Sequence, residues 1–199
     1  MDAIGRSGLR LKLLREQAEA GDLVLLFEDE SEALTHPYLA HVWAPRGADL
    51  RIEAPGQSKK VAILGAQNAG SGQLHVVTSS TKRSSDFVTL LELLDHEYGP
   101  GSAHASLPVV LVLDNGPIHS SKLSTAALAA RPWITVEWLP KYAPELNDIE
   151  RDWRHLKRHY LANHVWRDVQ DLDEHIHSAI ADISRSRMSR VLADSKRAA

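Results

Sequence analysis

Two uninterrupted apolar runs, each followed at once by acids, constrain the fold of this chain more than any other feature. Residues 23–27 lead into Glu28 and its acidic neighbours up to Glu32, and residues 107–113 lead into Asp114. Apolar runs of this length are typical of strands that are buried on both faces of a sheet. Acids at the end of a buried strand are costly to desolvate unless a cation lies beside them. For any one of these acids alone, a solvated loop is the competing interpretation.

The spacing of apolar residues elsewhere predicts helices and further strands around these two. Helices are predicted over residues 6–20, 84–98, 121–131, 150–160 and from Asp168 onward. Strands are predicted over residues 41–43, 50–53, 59–67, 73–78 and 134–139, the third and fourth forming a hairpin. In the first helix, Leu9, Leu13 and Leu14 are predicted to form the apolar side. This order of elements predicts an α/β fold, a mixed sheet covered by helices on both faces.

Composition limits the class of protein. A chain of 199 residues with 43% hydrophobic and 25% charged residues is typical of one soluble globular domain. No apolar run reaches the roughly 20 residues that a membrane span requires, so no membrane partner is expected. The chain has no Cys, which excludes disulfides and thiolate metal sites and agrees with a cytoplasmic location.

Charge is distributed unevenly along the chain. Residues 1–150 carry 13 Lys and Arg against 19 Asp and Glu, whereas residues 151–199 carry 10 against 7. The net charge of −3 argues against a nucleic-acid partner, but the basic surplus begins directly after Glu150. Taken alone, this surplus is equally typical of a solvated helix face.

Three carboxylates are predicted to meet at one edge of the sheet. Asp29 and Asp114 each follow an apolar strand, and Glu150 opens a helix after a further strand. Ligands of open α/β sheets usually bind at the carboxyl ends of the strands. Without Cys, three carboxylates are the hard oxygen ligands that Mg²⁺ or Mn²⁺ takes. Two such ions can support an in-line displacement at a phosphoryl group.

Glu150 has two competing interpretations. Asn147 followed three residues later by Glu150 resembles a capping box, in which Glu150 would cap its own helix instead of holding metal. Apolar residues at helical spacing are predicted to face the core; they are Ile149, Trp153, Leu156 and Tyr160. Glu150, Arg154 and Lys157 then form the adjoining stripe, which suits either phosphate contact or pairing within the helix.

Three motifs in order carry a family resemblance. They are Phe-Glu-Asp-Glu-Ser at 27–31, Leu-Asp-Asn-Gly-Pro-Ile-His at 113–119, and Leu-Pro-Lys-Tyr-Ala-Pro-Glu-Leu-Asn-Asp-Ile-Glu at 139–150, followed by Trp153. This pattern resembles the catalytic domain of mariner-like DDE transposases, in particular their bacterial insertion-sequence branch. The resemblance extends from about Gly21 to Arg185. It implies an RNase H-like fold, a mixed sheet of about five strands with helices on both faces.

The resemblance also implies a reaction and a set of functional residues. Asp29, Asp114 and Glu150 would be the catalytic acids and the ligands of two Mg²⁺ ions, with Mn²⁺ as a substitute. The implied reaction is hydrolysis of a phosphodiester at the element ends, followed by attack of the freed 3′-hydroxyl on a target strand. The residues assigned to DNA contact are Asn115, His119, Lys141, Arg154 and Lys157.

The resemblance implies partners and a division of the chain. We expect transposon ends and target DNA as partners and a homodimer on that DNA. Residues 1–20 would be a lead-in helix, 21–185 the catalytic domain and 186–199 a flexible basic tail. Family members carry a helix-turn-helix region before the catalytic domain, and Met1 stands about one helix before the first catalytic strand. The chain is therefore expected to be a catalytic fragment, a product of a split reading frame or a decayed copy.

Other interpretations compete with this one. His155 and His159 have the spacing of a zinc-binding pair on a helix, but the chain lacks the Glu between them that metalloproteases use. A transposase remnant that binds DNA or a partner without cutting is the main alternative, and a plain RNase H-type nuclease is the lesser one.

Overall fold

Five strands form one mixed sheet at the centre of the molecule, in the order β3-β2-β1-β4-β5. The structure is a computed structural model that describes residues 3–53 and 56–198. The strands are β1 (Val24–Leu34), β2 (Lys60–Asn68), β3 (Leu74–Ser79), β4 (Val109–Leu113) and β5 (Ile134–Trp138). The helices are α1 (Ala3–Ala20), α2 (Ser84–Tyr98), α3 (Pro117–Ser120), α4 (Lys122–Ala129), α5 (Glu150–His159) and α6 (Val169–Ala198). A short 3₁₀ turn, Pro144–Leu146, precedes α5.

The register of β1 against β4 aligns the first two predicted acids. The two strands are parallel, and Phe27 pairs with Val112. Two residues further along, Asp29 and Asp114 therefore reach the same level of the sheet and point to the same face, because side chains in strands alternate with a period of two.

Strand β1 is longer than the sequence predicts. The acids at 28–32 are part of the strand and not of a loop, because β1 continues to pair with the antiparallel β2 as far as Leu34. The predicted strands at 41–43 and 50–53 are wrong: no strand is present there among the described residues. These segments have no neighbouring strand to pair with, and Trp43 is fully exposed.

One face of the sheet packs against α1, α5 and α6, and the other against α2 and α4. The first core includes Leu11, Phe27, Val112, Trp153 and Ile176. The second includes Leu26, Leu64, Phe87, Leu90 and Leu111. The predicted covering of both faces is confirmed. Alternation in β1 sends Phe27 and Asp29 toward α5, and sends Leu26 and Glu28 toward α2.

The apolar side of α1 differs from the prediction. Leu11 is fully buried and Leu14 is partly buried, whereas Leu9 and Leu13 are 53% and 54% exposed. The helix is rich in Leu on several sides, so periodicity alone did not identify the side that meets the sheet.

Helix α6 begins where predicted and ends later. The Asp171 N–H donates a hydrogen bond of 2.9 Å to Asp168 Oδ1, which caps the helix. Residues 186–198, predicted to be a flexible tail, continue the helix, because residues 169–198 contain no Gly or Pro to end it. Within residues 3–53 and 56–198, no helix combines the length and apolar composition that crossing a membrane requires.

Candidate active site

The three predicted acids line one cavity. Asp29 from β1, Asp114 from the end of β4 and Glu150 from the start of α5 surround a space of about 410 Å³. Lys141 and Asn115 also line it, together with the chain from Leu139 to Pro144. Three distant segments of sequence thus meet at one edge of the sheet, which is where the carboxyl ends of parallel strands place ligand sites.

Asp114 is held by the turn that follows it. Its Oδ1 accepts a hydrogen bond of 2.7 Å from the Gly116 N–H and lies 2.8 Å from His119 Nδ1. A Cβ on Gly116 would lie 2.8 Å from the same oxygen, so any larger residue would require the Asp114 carboxylate to shift. The hydrogen bond from His119 lowers the pKa of Asp114, which therefore remains ionised.

His119 lies between two carboxylates in the interior. Its Nε2 is 2.8 Å from Glu28 Oε2, and both side chains are fully buried. The N–H is not aligned for a hydrogen bond with Glu28, so this contact is an ion pair. Burial lowers the pKa of His119, but Asp114 and Glu28 outweigh it and raise the pKa to about 10. The ring is therefore an imidazolium at neutral pH.

The predicted contact of His119 with DNA is wrong. The side chain is fully buried, and its ring packs edge-on against Phe87 at a centroid distance of 4.8 Å. A buried ring cannot reach a phosphate, and both of its nitrogens already face carboxylates. His119 instead links Asp114 to Glu28.

Burial and the neighbouring acids destabilise the ionised form of Asp29. Its pKa is raised to about 7, mainly by burial, and the charge of Glu150 contributes more to this rise than that of any other neighbour. Glu30 and Asp114 add to this repulsion. No group of three His, Asp or Glu side chains is close enough to hold a metal ion as it stands, within the part of the chain that the structure describes. The donor set nevertheless fits a divalent ion: its atoms are hard oxygens, and a cation would relieve their repulsion.

Glu150 does not form the predicted alternative, a capping box. The Asn147 Nδ2 donates a hydrogen bond of 2.9 Å to the Glu28 carbonyl, and the Asn147 N–H donates to the Pro144 carbonyl. Ile149 precedes α5 without a side-chain cap. The carboxylate of Glu150 is therefore not needed by its own helix and lines the cavity.

Helix α5 is seated on the sheet through Trp153 and Gly65. Gly65 pairs with Asp29 across β1 and β2. A Cβ on Gly65 would lie 2.6 Å from Trp153 Cη2, so the ring rests directly on the backbone of β2. Ile149, Trp153 and Leu156 are buried as the sequence predicts. This contact sets the distance between α5 and the sheet, and so the position of Glu150.

The remaining predicted DNA-contact residues lie around the cavity. Lys141 and Asn115 line it and are exposed. Asn115 also donates a hydrogen bond of 2.5 Å to the Leu139 carbonyl. Arg154 is exposed and shares a groove with Glu150. Lys157 is partly buried, and burial followed by the charge of Lys82 lowers its pKa.

Two residues that support the site, Glu28 and Asn147, have no predicted role in it. The sequence predicts no specific partner for Glu28, and it predicts Asn147 only as a helix cap. The alternation of side chains in a strand was the available signal for Glu28, because it separates Glu28 from Asp29 once the strand is extended through the acids. No local signal identifies Asn147, whose partner is 119 residues away.

The chain is similar in sequence to known proteins. Residues 24–173 match the model of the DDE superfamily endonuclease family. The chain is 31% identical over 140 residues to the "Insertion element IS630 uncharacterized 39 kDa protein" of Shigella sonnei, covering 70% of this chain and 39% of that protein. It is 34% identical over 73 residues to an uncharacterized protein of Sinorhizobium fredii, covering 37% of this chain and 48% of that protein. The chain thus spans less than half the length of either relative.

Solved structures share the fold. The catalytic domain of the Mos1 mariner transposase superposes with a TM-score of 0.55 at 14% identity, covering 98% of this chain and 95% of that one. The Mos1 paired-end complex with Mg has a TM-score of 0.58 at 13% identity, covering 94% of this chain and 60% of that one. The RNase H-like fold expected from the sequence is confirmed.

Proposed function

The chain belongs to the DDE superfamily endonuclease family, and from this premise we propose that it is the catalytic domain of an insertion-sequence transposase, cutting and joining DNA. The observation that carries the proposal is the meeting of Asp29, Asp114 and Glu150 at one cavity. Transposon ends and target DNA are the proposed substrates, and a homodimer on DNA is the proposed assembly.

Asp29, Asp114 and Glu150 would hold two divalent ions, Mg²⁺ or Mn²⁺. Such ions supply Lewis-acid stabilisation of the attacking and leaving oxygens of a phosphodiester. Asp114 offers one oxygen for this role: within the described residues its Oδ1 takes both hydrogen bonds and its Oδ2 takes none. His119 and Gly116 therefore orient the carboxylate and leave one edge of it available.

The reaction would proceed in two displacements at this cavity. Water first cleaves the strand at the element end, and the 3′-hydroxyl produced then attacks a phosphodiester of the target. Asn115, Lys141, Arg154 and Lys157 would position the strand by contacts to its backbone. Such contacts fix the register of DNA without reading its sequence.

The proposal is tested with the 199-residue chain, a precleaved duplex and Mn²⁺. The parent should join the duplex to a target plasmid, and Asp114→Asn should reduce joining to background because the amide is a poor ligand. Asp182→Asn is the matched control, since Asp182 lies on α6 and pairs only with Arg185 within the described chain. Equal joining by the parent and Asp114→Asn would refute the catalytic assignment.

A non-catalytic role is the second candidate, and one observation favours it. The described residues contain no preformed group of three metal ligands. A parent chain that binds the duplex but joins nothing over a range of Mn²⁺ concentrations would establish this alternative.

A further inference from the structure

A second cavity, of about 430 Å³, lies between α1, the β2–β3 turn, α5 and α6. It is separate from the catalytic cavity: Asn147 lines the catalytic one, whereas Asp148 lines the second. Its lining includes four arginines, which are Arg15, Arg151, Arg187 and Arg190. Guanidinium groups present forked donors that suit phosphate, so a cavity with four of them points to an anionic ligand.

Asp148 and Asp152, which line the cavity together with Glu19, hold three of the arginines in place. Arg15 Nε lies 2.6 Å from Asp148 Oδ2, and Arg151 pairs with the other oxygen of Asp148. Arg187 Nη2 pairs with Asp152, whose side chain is 1% exposed. Fixed guanidinium groups lose less side-chain entropy on binding a ligand than free ones.

Two of the arginines keep donors for a ligand. Arg187 Nη1 is buried and has no hydrogen-bond partner within the described residues. Arg190 is exposed and forms no ion pair there. A buried N–H without an acceptor is costly, and a phosphate oxygen in the cavity would supply that acceptor. Two buried acceptors, Gln67 Oε1 and Asp152 Oδ2, also lack donors, which a solvent molecule sharing the cavity can provide.

A groove lined by both arginines and acids connects this cavity to the catalytic one. Arg151 and Arg154 line a groove together with Glu150 and Asn147, which also line the catalytic cavity. Arg151 lines the second cavity as well. The groove therefore shares Glu150 and Asn147 with the catalytic cavity and Arg151 with the second cavity, so one DNA strand can contact all three.

We propose that the second cavity binds a backbone phosphate of the DNA strand that occupies the catalytic cavity. The inference rests on the proposed function, because it takes DNA as the substrate. It assigns Arg187 and Arg190 to a phosphate outside the reacting centre, through contacts that are independent of base sequence.

The test measures how DNA affinity depends on salt. Binding of the full chain to a fluorescein-labelled duplex is followed by anisotropy in a series of NaCl concentrations, without divalent metal. Removing one phosphate contact lowers the slope of log K against log salt by about 0.9. Arg190→Gln should show this loss. Arg187→Gln combined with Asp152→Asn should show it too, without leaving a buried carboxylate unpaired.

Arg185→Gln is the matched control. Arg185 lies on the same helix and is exposed, but it pairs with Asp182 and lines neither cavity. Its slope should equal that of the parent. The inference would be overturned if Arg190→Gln and the double variant also showed the same slope as the parent.

Two further readouts separate this inference from its rivals. Joining of a precleaved duplex by the parent in Mn²⁺ tests the proposed function alone. If the parent joins DNA but the variants leave the salt slope unchanged, only the phosphate-binding role of the second cavity is refuted. Reduced slopes without joining refute only the proposed function.

Inorganic phosphate is titrated while the Arg187 Nε–H resonance is followed by NMR. A shift of that resonance with unchanged DNA slopes would assign the cavity to free phosphate and overturn the inference.

Discussion

Asp114 and Glu150 line the same cavity but are positioned by different means. Asp114 is held by residues within five positions of it in sequence, Gly116 and His119. Glu150 depends on contacts between distant segments: Asn147 with the Glu28 carbonyl, and Trp153 with Gly65. The position of Asp114 is therefore set by its own neighbours in sequence, whereas the position of Glu150 depends on contacts between segments that meet only in the folded protein.

The two arrangements share one residue. The Glu28 side chain pairs with His119 and so supports Asp114, while the Glu28 carbonyl accepts the hydrogen bond of Asn147 and so supports the start of α5. Substitutions at Glu28, at Gly65 and at Asn147 should separate the two arrangements, with effects that decrease in that order.

Glu28→Ala should have the largest effect, since it leaves the buried imidazolium of His119 without one of its three neighbouring carboxylates. Removing one partner of a buried ion pair costs about 3–5 kcal/mol in the free energy of unfolding. Urea denaturation followed by circular dichroism measures this loss. Glu30→Ala is the control, because Glu30 is farther from His119 at 3.7 Å and is partly exposed. If both variants lost the same free energy of unfolding, Glu28 would not be the principal ion-pair partner of His119.

Gly65→Ala should disturb α5 and leave the Asp114 turn in place. The new methyl group would lie 2.6 Å from Trp153 Cη2 and 3.2 Å from Val76 Cγ1. Overpacking of this kind costs about 1–3 kcal/mol. Thermal unfolding gives the stability change, and joining activity at a temperature where the variant is folded should fall as well. If Trp153 is the cause, Gly65→Ala with Trp153→Leu will lose less stability than the two single losses added together.

Asn147→Ala should have the smallest effect on stability and a clear effect on activity. The loss of one hydrogen bond to the Glu28 carbonyl costs about 0.5–1.5 kcal/mol. Since Asn147 seats the turn before Glu150, joining should require more Mn²⁺ to reach its half-maximal rate. Asn163→Ala removes comparable hydrogen bonds to Ala40, away from the cavity, and should not change the Mn²⁺ requirement. If both variants raised the Mn²⁺ requirement equally, the effect would come from a general loss of stability and not from the contact of Asn147 with Glu28.

Local patterns were sufficient for much of the fold. The apolar runs predicted the cores of β1 and β4, and alternation with glycines predicted the β2–β3 hairpin. The meeting of Asp29, Asp114 and Glu150 was predicted with the help of the family resemblance, because the local pattern left Glu150 open between a helix cap and a metal ligand. Helical spacing predicted the buried side of α5 correctly.

Features that depend on distant partners were not predicted. The extension of β1 through its acids follows from pairing with β2, 30 to 38 residues later in sequence. The pairing of Glu28 with His119 joins a residue of β1 to a residue of α3, and neither residue is surrounded by a local charge pattern that reveals it. The buried side of α1 is likewise set by the sheet that it meets, not by its own Leu spacing.

Strand alternation in β1 has a consequence for folding. Glu28 and Asp29 lie on opposite faces of the sheet, one beside His119 and the other in the cavity. A shift of β1 by one residue would exchange these faces. It would present Asp29, shorter by one methylene, to the buried imidazolium and place Glu30 where Asp29 now aligns with Asp114. The ion pair between Glu28 and His119 therefore favours the register that places Asp29 in the cavity, and a sheet assembled out of register would lose both stability and this alignment.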